Sequence, residues 1–488
     1  MELTYTGLVL IVLGGLLSIF FKNWFYSLTV FFVPFTATAV INFSSGFWLT
    51  PFQLFGCLWI LSEISKWMLM GKIKLFPHRG LAIWLVLIFA GVVSISIIMP
   101  LIIDGQILIQ SPSLIETGSS PLYFTATNFT RALYVVFGSF IAIFVAIKNS
   151  HAPQLALTLK IYVLSGFFVS LWGWLQLIFY VLNIPYPDFI FNNSLNTVAQ
   201  GFTQTIYELA SLETTRISSV AVEPSIFTQY LFSVIPIVLY AVLKKQPITS
   251  RYMDQFILMT MIGILILSTS SSAYVGMLVL GAEVLGVLLL MGRLSWKHVL
   301  SFMLILITPL ILYFSVPFVR EFMDVFLFSK MAAGSGLERL LTIEYAWGYF
   351  QEYPILGLGW GSITSHDLIV NLLANSGILG FASFLCMVVY VLGRLIRVVL
   401  TLNVKYAVTT ETTLMETWGV GITLSISTLL IMQIMTGFTY GFGHFWFILG
   451  VAMATHSVIR SKSRSVKGSK SFKNKCLPSN LQVMEHEA

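Results

Sequence analysis

Long apolar runs alternate with short polar connections along almost the whole chain. Each run has about the 20 residues that an α-helix needs to cross the hydrocarbon core of a membrane. The pattern predicts an all-α, polytopic membrane helical bundle of about 13 transmembrane helices, with 12–14 possible because the runs within 254–291 and 417–459 are closely spaced. The runs lie at about 4–21, 24–42, 51–70, 80–103, 125–147, 155–182, 225–243, 254–270, 272–291, 297–317, 368–393, 417–436 and 441–459.

Composition indicates the same class of protein. Of the 488 residues, 57% are hydrophobic and only 10% are charged, which is outside the range of soluble globular domains. The start, Met1-Glu2-Leu3, lacks a basic stretch, so no cleavable signal is expected. The three cysteines lie in apolar runs or near the C-terminus, so no disulfide framework is expected. The sequence indicates one integral-membrane domain, 1–459, and a basic tail, 460–488, that we expect to be disordered.

The basic residues predict the orientation of the bundle. Five of the 27 Lys and Arg residues (131, 216, 320, 330 and 339) fall on the face with the long loops, and the other 22 fall on the opposite face. The basic-rich face is expected to be cytoplasmic, which places the C-terminus inside and, with 13 spans, the N-terminus outside. The large outer loops are then about 104–124, 183–224 and 318–366. The net charge of +7 lies at a membrane surface, so it indicates contact with lipid and not with nucleic acid.

The segment 336–380 differs from the apolar runs on either side of it. Its first part, 337–351, has helical spacing and carries Glu338 and Arg339 among apolar residues. Pro354 is expected to stop this helix, and the glycines at 357, 359 and 361 predict a loop that can approach a ligand closely. A second helix is expected to start at about 365–367.

A polar stripe runs along that second helix. Asp367, Asn371 and Asn375 are spaced four residues apart, so they share one face of an otherwise apolar rod. Such a stripe needs something polar to face. The stripe is consistent with a ligand site and equally with a helix N-cap followed by hydrogen bonds to neighbouring segments.

Only two histidines, His366 and His444, map to the outer face. A histidine at the start of a helix is often structural, but His366 follows the glycine-rich loop and shares it with Arg339. An imidazole near a carboxylate is the usual general base near neutral pH. His366 is therefore the candidate catalytic residue.

Arginines in the outer loops are candidates for binding an anion. Arg216 and Arg339 can present a guanidinium fork to phosphate oxygens, although either can instead pair with an acidic neighbour such as Glu213, Glu338 or Glu344. Arg131 lies about two turns inside a span, where an ionisable group is a functional candidate. Glu283, in the middle of another span, is either its partner or a proton site.

Several motifs are absent from the sequence. No Walker loop, dinucleotide fingerprint, GxSxG elbow or HExxH pair occurs, and the outer loops contain no Asp-x-Asp for a metal-bound nucleotide diphosphate. We therefore expect chemistry that uses neither metal, nucleotide nor another cofactor.

Three stretches together resemble the bacterial O-antigen polymerase and O-antigen ligase family. They are RISSVAVEPSIFTQYL from Arg216, GLER with the later FQEYPILGLGWG, and HDLIVNLLANSGILG from His366. The resemblance covers about 200–455 and implies a lipid-linked oligosaccharide polymerase whose donor is a glycan on undecaprenyl diphosphate. It implies that His366 is the family's loop histidine, that Arg216 and Arg339 contact the diphosphate, and that a chain-length regulator and a flippase are partners.

Two features depart from the family pattern. The family histidine is commonly followed by asparagine, where this chain has Asp367. Many members carry an arginine after a Ser-rich turn, where this chain reads STSSS from Ser268, so that cationic contact is either missing or supplied by Arg131 or Lys330. The candidate substrate-binding residues are Arg216, Arg339, Glu223, Asp367, Asn371 and Arg131, with no metal site.

The sequence is thus interpreted as a metal-independent glycosyltransferase of the bacterial inner (plasma) membrane, with a periplasmic active face. It would polymerise repeat units of O-antigen, in lipopolysaccharide, or of exopolysaccharide. One alternative is a ligase that transfers the finished glycan to an acceptor. Another, of a different class, is a lipid-linked glycan flippase or transporter, which the few ionisable residues within spans disfavour. The sequence leaves the sugars, the linkage and the oligomeric state open.

Overall fold

The structure is a computed structural model, and it describes most of the chain. The described residues are 1–20, 23–43, 47–70, 80–110, 118–195, 207–209, 212–214, 216–268, 270–324, 334–405, 410–437 and 441–475.

Helices dominate these residues. They are α1 (Tyr5–Phe20), α2 (Trp24–Phe31), α3 (Pro51–Leu69), α4 (Gly80–Ser96), α5 (Ile98–Ile103), α6 (Ala126–Lys148), α7 (Ala152–Val181), α8 (Asp188–Phe191), α9 (Pro224–Lys244), α10 (Arg251–Leu267), α11 (Ser271–Leu290), α12 (Trp296–Ser315), α13 (Pro317–Met323), α14 (Gly334–Glu352), α15 (Leu368–Lys405), α16 (Thr410–Thr436) and α17 (Gly443–Lys475).

In the part of the chain that the structure describes, seven short strands form three small antiparallel sheets. Strands β1 (Glu2–Leu3), β2 (Ile41–Asn42) and β3 (Trp48–Leu49) pair in that order, with Glu2 opposite Asn42 and Ile41 opposite Leu49. Two hairpins follow, β4 (Leu108–Gln110) with β5 (Ser119–Pro121) and β6 (Tyr207–Leu209) with β7 (Leu212–Thr214).

Eight helical segments within the described residues are long and apolar enough to cross a membrane. The prediction of an all-α membrane bundle is therefore confirmed, while the number of 13 spans stays a prediction. The eight segments are Gly80–Ile103, Ala126–Lys148, Ala152–Val181, Pro224–Lys244, Ser271–Leu290, Trp296–Ser315, Leu368–Leu402 and Thr412–Thr436.

The predicted helix over 24–42 differs most from the structure. Only Trp24–Phe31 is helical, and the chain continues through buried, non-helical residues as far as Val40. Pro34 cannot donate a helical hydrogen bond, and the β-branched Thr36, Thr38 and Val40 favour an extended backbone. Buried backbone outside a helix needs other partners for its polar groups.

Two distant loops supply those partners. The amide of Ala37 donates to the carbonyl of Val220 (3.1 Å), and the hydroxyl of Thr38 donates to the carbonyl of Phe191 (2.7 Å). Thr36 Oγ1 accepts from the amide of Val222 (3.1 Å). The segment 32–40 therefore fixes the loop that leads to Glu223 and α9.

The predicted outer loop 318–366 contains two helices. Helix α14 agrees with the helix expected over 337–351, and α13 was not predicted. Helix α17 continues to Lys475, so 460–475 are helical where disorder was expected, and 476–488 lie outside the described residues.

Helices α9 and α16 pack antiparallel in the centre of the bundle and define its two ends. At one end Gln229 Nε2 donates to Thr436 Oγ1 (2.7 Å), and at the other Lys244 Nζ lies 2.9 Å from Glu416 Oε1. The backbone at Gly437 lies against His366, because a Cβ there would sit 3.3 Å from the Cα of His366. The candidate catalytic histidine is thus at the Gln229–Thr436 end.

Candidate functional site

A cavity of about 490 Å³ lies at that end of the bundle. Its walls are the β4–β5 hairpin, the start of α6, one face of α14 and the loop 361–366. Tyr349 joins two of these walls, because its hydroxyl accepts from the amide of Gln110 (2.9 Å) and donates to the carbonyl of Leu108 (3.1 Å). Arg131 and His366 both line this cavity.

The glycine-rich loop is folded against the protein itself. Gly357, Gly359 and Gly361 all have positive φ values, 63°, 94° and 85°, which L side chains rarely adopt. A Cβ at Gly357 would overlap the carbonyl of Ala374, and one at Gly359 would overlap Pro100. The first two glycines therefore allow the loop to approach helices α15 and α5 closely, and not a ligand. Of the three glycines, only Gly361 lines the cavity.

The polar stripe of α15 holds this loop in place. Asn375 Oδ1 accepts from the amides of Gly361 and Ile363, both at 3.2 Å, and Asn375 Nδ2 donates to the carbonyl of Ile363 (3.1 Å). Asn371 Nδ2 donates to the carbonyl of Ser365 (3.1 Å), and the side chain of Asn371 is buried. Asp367 Oδ1 accepts from the amide of Val370 (2.8 Å) as a helix N-cap.

The stripe thus contacts backbone polar groups of the loop. Of the two interpretations left open by the sequence, the one based on capping and hydrogen bonds accounts for these contacts. The structure places Asn371 and Asp367 as positioning residues.

The contact of His366 with Thr342 favours one tautomer. Thr342 Oγ1 lies 2.7 Å from the carbonyl of Arg339, to which it can donate, and 3.1 Å from His366 Nδ1. With the hydroxyl proton on that carbonyl, Oγ1 accepts from Nδ1–H, and Nε2 then carries the lone pair. This is the tautomer that a general base acting through Nε2 requires.

The surroundings of His366 keep the imidazole neutral. Burial lowers the pKa of His366 below its ordinary 6.5, and the positive charge of Arg339 lowers that pKa further. The carboxylates of Glu223 and Glu338 oppose this and raise the pKa, but less than burial and Arg339 lower it. The charges of Arg339, Glu223 and Glu338 therefore all act on the imidazole of His366.

Arg131 provides a positive charge on another wall of the same cavity. Its Nη1 donates to the carbonyl of Gly361 and to Thr364 Oγ1, both at 3.3 Å. The backbone of Arg131 also accepts from Trp360 Nε1 (3.2 Å), which ties α6 to the loop. Helix α6 thus places Arg131 within reach of the loop that carries His366.

Among the described residues, the remaining candidates do not line the cavity, although Glu223 is near enough to act on the pKa of His366. Arg216 starts the buried loop that ends at Glu223, and it is not among the described residues that line the cavity. Glu223 is exposed at the start of α9, where its Oε2 accepts from Ser225 Oγ (3.0 Å). Lys330 lies outside the described residues.

The two groups whose roles the sequence left open have separate partners. Glu283 accepts a hydrogen bond from Thr428 and not from Arg131, so the mid-span carboxylate and the mid-span arginine do not pair. His444 is fully buried, with Nε2 3.4 Å from Gln229 Oε1, and does not line the cavity.

Sequence reasoning missed Thr342, Tyr349 and the hairpin as parts of the site. Thr342 and Tyr349 lie three and ten residues after Arg339 on the predicted helix, so the sequence could show that they share a helix face. It could not show which part of the protein packs against that face.

Within the described ranges, no group of three or more His, Cys, Asp and Glu residues is arranged to hold a metal ion. No model of a known protein family matches the chain, and no curated protein sequence matches it significantly.

Proposed function

We propose that the protein is a membrane glycosyltransferase that polymerises oligosaccharide repeat units carried on undecaprenyl diphosphate. The observation that carries this proposal is the cavity that is lined by both His366 and Arg131, with His366 Nδ1 in contact with Thr342 Oγ1. A base and fixed cations are what transfer from a diphosphate donor to a hydroxyl requires.

In the proposed reaction, His366 Nε2 takes the proton of an acceptor sugar hydroxyl. The hydroxyl oxygen forms a bond to the anomeric carbon of the donor glycan, while the bond from that carbon to the diphosphate oxygen breaks. Negative charge then grows on the leaving diphosphate. Arg131 and Arg339 stabilise this charge, since guanidinium groups bind phosphate oxygens through paired N–H donors.

The proposal includes an orientation for the bundle. We place the cavity at the periplasmic face of a bacterial inner membrane and the C-terminus in the cytoplasm. Five segments, namely α1, 24–42, α3, α10 and α17, would complete 13 spans with the eight identified above. Residues of the outer loops 104–124 and 318–366 then line the cavity.

An O-antigen ligase remains the nearest alternative, because it would use the same donor and the same base. The two are distinguished by the acceptor, which is another lipid-linked repeat unit for a polymerase and a different lipid or a protein for a ligase. A flippase requires no base, so the position of His366 in the cavity beside Arg131 favours either transferase over it.

The test is the pattern of outer glycan in a deletion strain complemented with variants. His366→Ala should leave lipid-linked single units and no ladder on a gel, because loss of a general base typically slows the reaction ~10²–10⁴-fold. His151→Ala is the matched control, since His151 is exposed and outside the cavity. Long unattached chains would indicate a ligase, and units trapped inside the cell would indicate a flippase.

A ladder of normal length from His366→Ala would exclude His366 as the base. The same assay with purified protein tests the expectation of metal independence. Transfer should continue in excess EDTA at close to its usual rate, and loss in EDTA with recovery on adding magnesium would contradict the arginine-based mechanism.

A further inference from the structure

A second cavity, of about 320 Å³, lies between α15 and α17. It is lined by Arg394 and Arg397 from α15 and by His456 and Arg460 from α17. Leu402 and Ile459 also line it. Arg394 is about 40 Å along α15 from Leu368, at ~1.5 Å per residue, so the cavity is at the opposite end of the bundle from His366. It is separate from the proposed catalytic site.

The basic side chains are brought together by helical spacing. Arg394 and Arg397 are three residues apart on α15, and His456 and Arg460 are four apart on α17, so each pair lies on one face of its helix. The guanidinium of Arg394 lies 5.1 Å from the centre of the Tyr390 ring, which orients it. Among the described residues, neither Arg394 nor Arg397 forms an ion pair with a carboxylate.

Part of the lining is apolar. Leu402 and Ile459 line the cavity and are buried in one cluster with Met415, and Val398 packs against this cluster. Basic and apolar side chains together suit an anionic molecule that also has an apolar part. Free phosphate would contact only the basic side chains.

We propose that this cavity binds the phosphate of an anionic phospholipid headgroup. The cavity lies where the apolar stretches of α15 and α17 end, which is the depth of a headgroup. Basic pockets between transmembrane helices on the cytoplasmic side are suited to such headgroups. Arg397 and Arg460 are exposed and can reach the phosphate, while Arg394 is partly buried and fixed.

The experiment is native mass spectrometry of the full-length protein, titrated with phosphatidylglycerol and, separately, with phosphatidylcholine. The wild-type protein should retain phosphatidylglycerol in preference to phosphatidylcholine. The double variant Arg397→Gln/Arg460→Gln should bind phosphatidylglycerol about tenfold more weakly or worse, since each basic residue near the surface contributes to attraction of anionic lipid. Both residues are exposed, so folding should be retained.

Arg251→Gln is the matched control, because Arg251 is exposed at the same end of the bundle and does not line the cavity. Equal binding of phosphatidylglycerol by the double variant and the wild type would overturn the proposal. A titration with inorganic phosphate distinguishes the source of the phosphate. If phosphate binds in a way that depends on Arg397 and Arg460 while phosphatidylglycerol does not, the lipid assignment is wrong.

Discussion

At the scale of single residues, the proposed role of His366 depends on the hydroxyl of Thr342. When this hydroxyl donates to the carbonyl of Arg339, it accepts from His366 Nδ1 and leaves the lone pair on Nε2. A histidine in the other tautomer would present the wrong nitrogen to the acceptor. In the proposed mechanism, this contact therefore orients the base.

Thr342→Val should slow transfer while keeping the shape of the side chain. Loss of one hydrogen bond that orients the ring is worth ~1 kcal/mol, which corresponds to about fivefold in rate. Thr342→Ser, which keeps the hydroxyl, should retain most of the activity. Initial rates with lipid-linked donor provide the measurement, and equal loss in both variants would show that packing, not the hydroxyl, matters.

The acidic limb of the pH–rate profile should report the charges around His366. Only the neutral imidazole accepts a proton, so the rate should fall as the pH drops through the pKa of His366, which burial and Arg339 hold below 6.5. Arg339→Gln removes a charge that lowers this pKa, so the limb should move to higher pH. Glu338→Gln removes a charge that raises the pKa, so the limb should move to lower pH.

Profiles of kcat/KM against pH for the three proteins test this pair of shifts. Arg339→Gln should also reduce the overall rate if Arg339 contacts the diphosphate, but the position of the limb is independent of that loss. If the acidic limb lies at the same pH in all three proteins, the group that titrates is not His366.

At the scale of elements, α15 both starts a span and supports the site. The helix is interrupted at Gly377, where φ is 63°, and the carbonyl of Pro354 accepts from the amide of Ile378 (2.8 Å) next to the break. Asn375, which is buried two residues before the break, accepts hydrogen bonds from the loop amides of Gly361 and Ile363. The broken helix and the loop therefore stabilise each other.

Asn375→Ala should destabilise the protein more than most substitutions of its kind. It leaves two buried amides and one carbonyl of the loop without Asn375 as their partner, and unsatisfied buried groups cost ~1–3 kcal/mol each. The apparent Tm in detergent should fall clearly below that of the wild type. Ser94→Ala is the control, because the Ser94 hydroxyl bonds only within its own helix. Equal Tm values for the two variants would contradict the supporting role of Asn375.

At the scale of the whole molecule, the two ends of the bundle have different chemistry. One end carries His366, Arg131 and the β4–β5 hairpin. The other carries the ion pairs of the buried Glu416 with the partly exposed Lys244 and Arg293, and the basic cavity of α15 and α17. The two ends are expected to face opposite sides of the membrane. This expectation can be tested without any assay of activity.

In a chain whose native cysteines are replaced by serine, Ser120→Cys should react with a membrane-impermeant maleimide added to whole cells with a permeabilised outer membrane. Tyr252→Cys should react only after the inner membrane is broken. Both positions are exposed in the structure, so accessibility within the protein does not limit labelling. Labelling of Tyr252→Cys in intact spheroplasts would reverse the orientation and the placement of the site.

The sequence by itself determined the class of fold and the local form of the site. Apolar runs specify spanning helices because length and hydrophobicity are local properties, and Pro354 with the glycines at 357, 359 and 361 specified a helix end and a loop. The non-helical part of the segment 24–42 could not be predicted in this way. Its extended part is stable only because residues about 150–190 positions away satisfy its backbone, as in the bonds of Thr38 to Phe191 and of Val222 to Thr36.

Only the tertiary structure decided which polar groups meet. It placed Arg131, 235 residues before His366 in the sequence, on the same cavity, and it supplied Thr342 as the group that selects the histidine tautomer. It also turned the stripe of Asn371 and Asn375 toward the loop backbone. The spacing of polar residues shows which of them share a helix face, but the partner of that face depends on how the helices pack, which no local pattern contains.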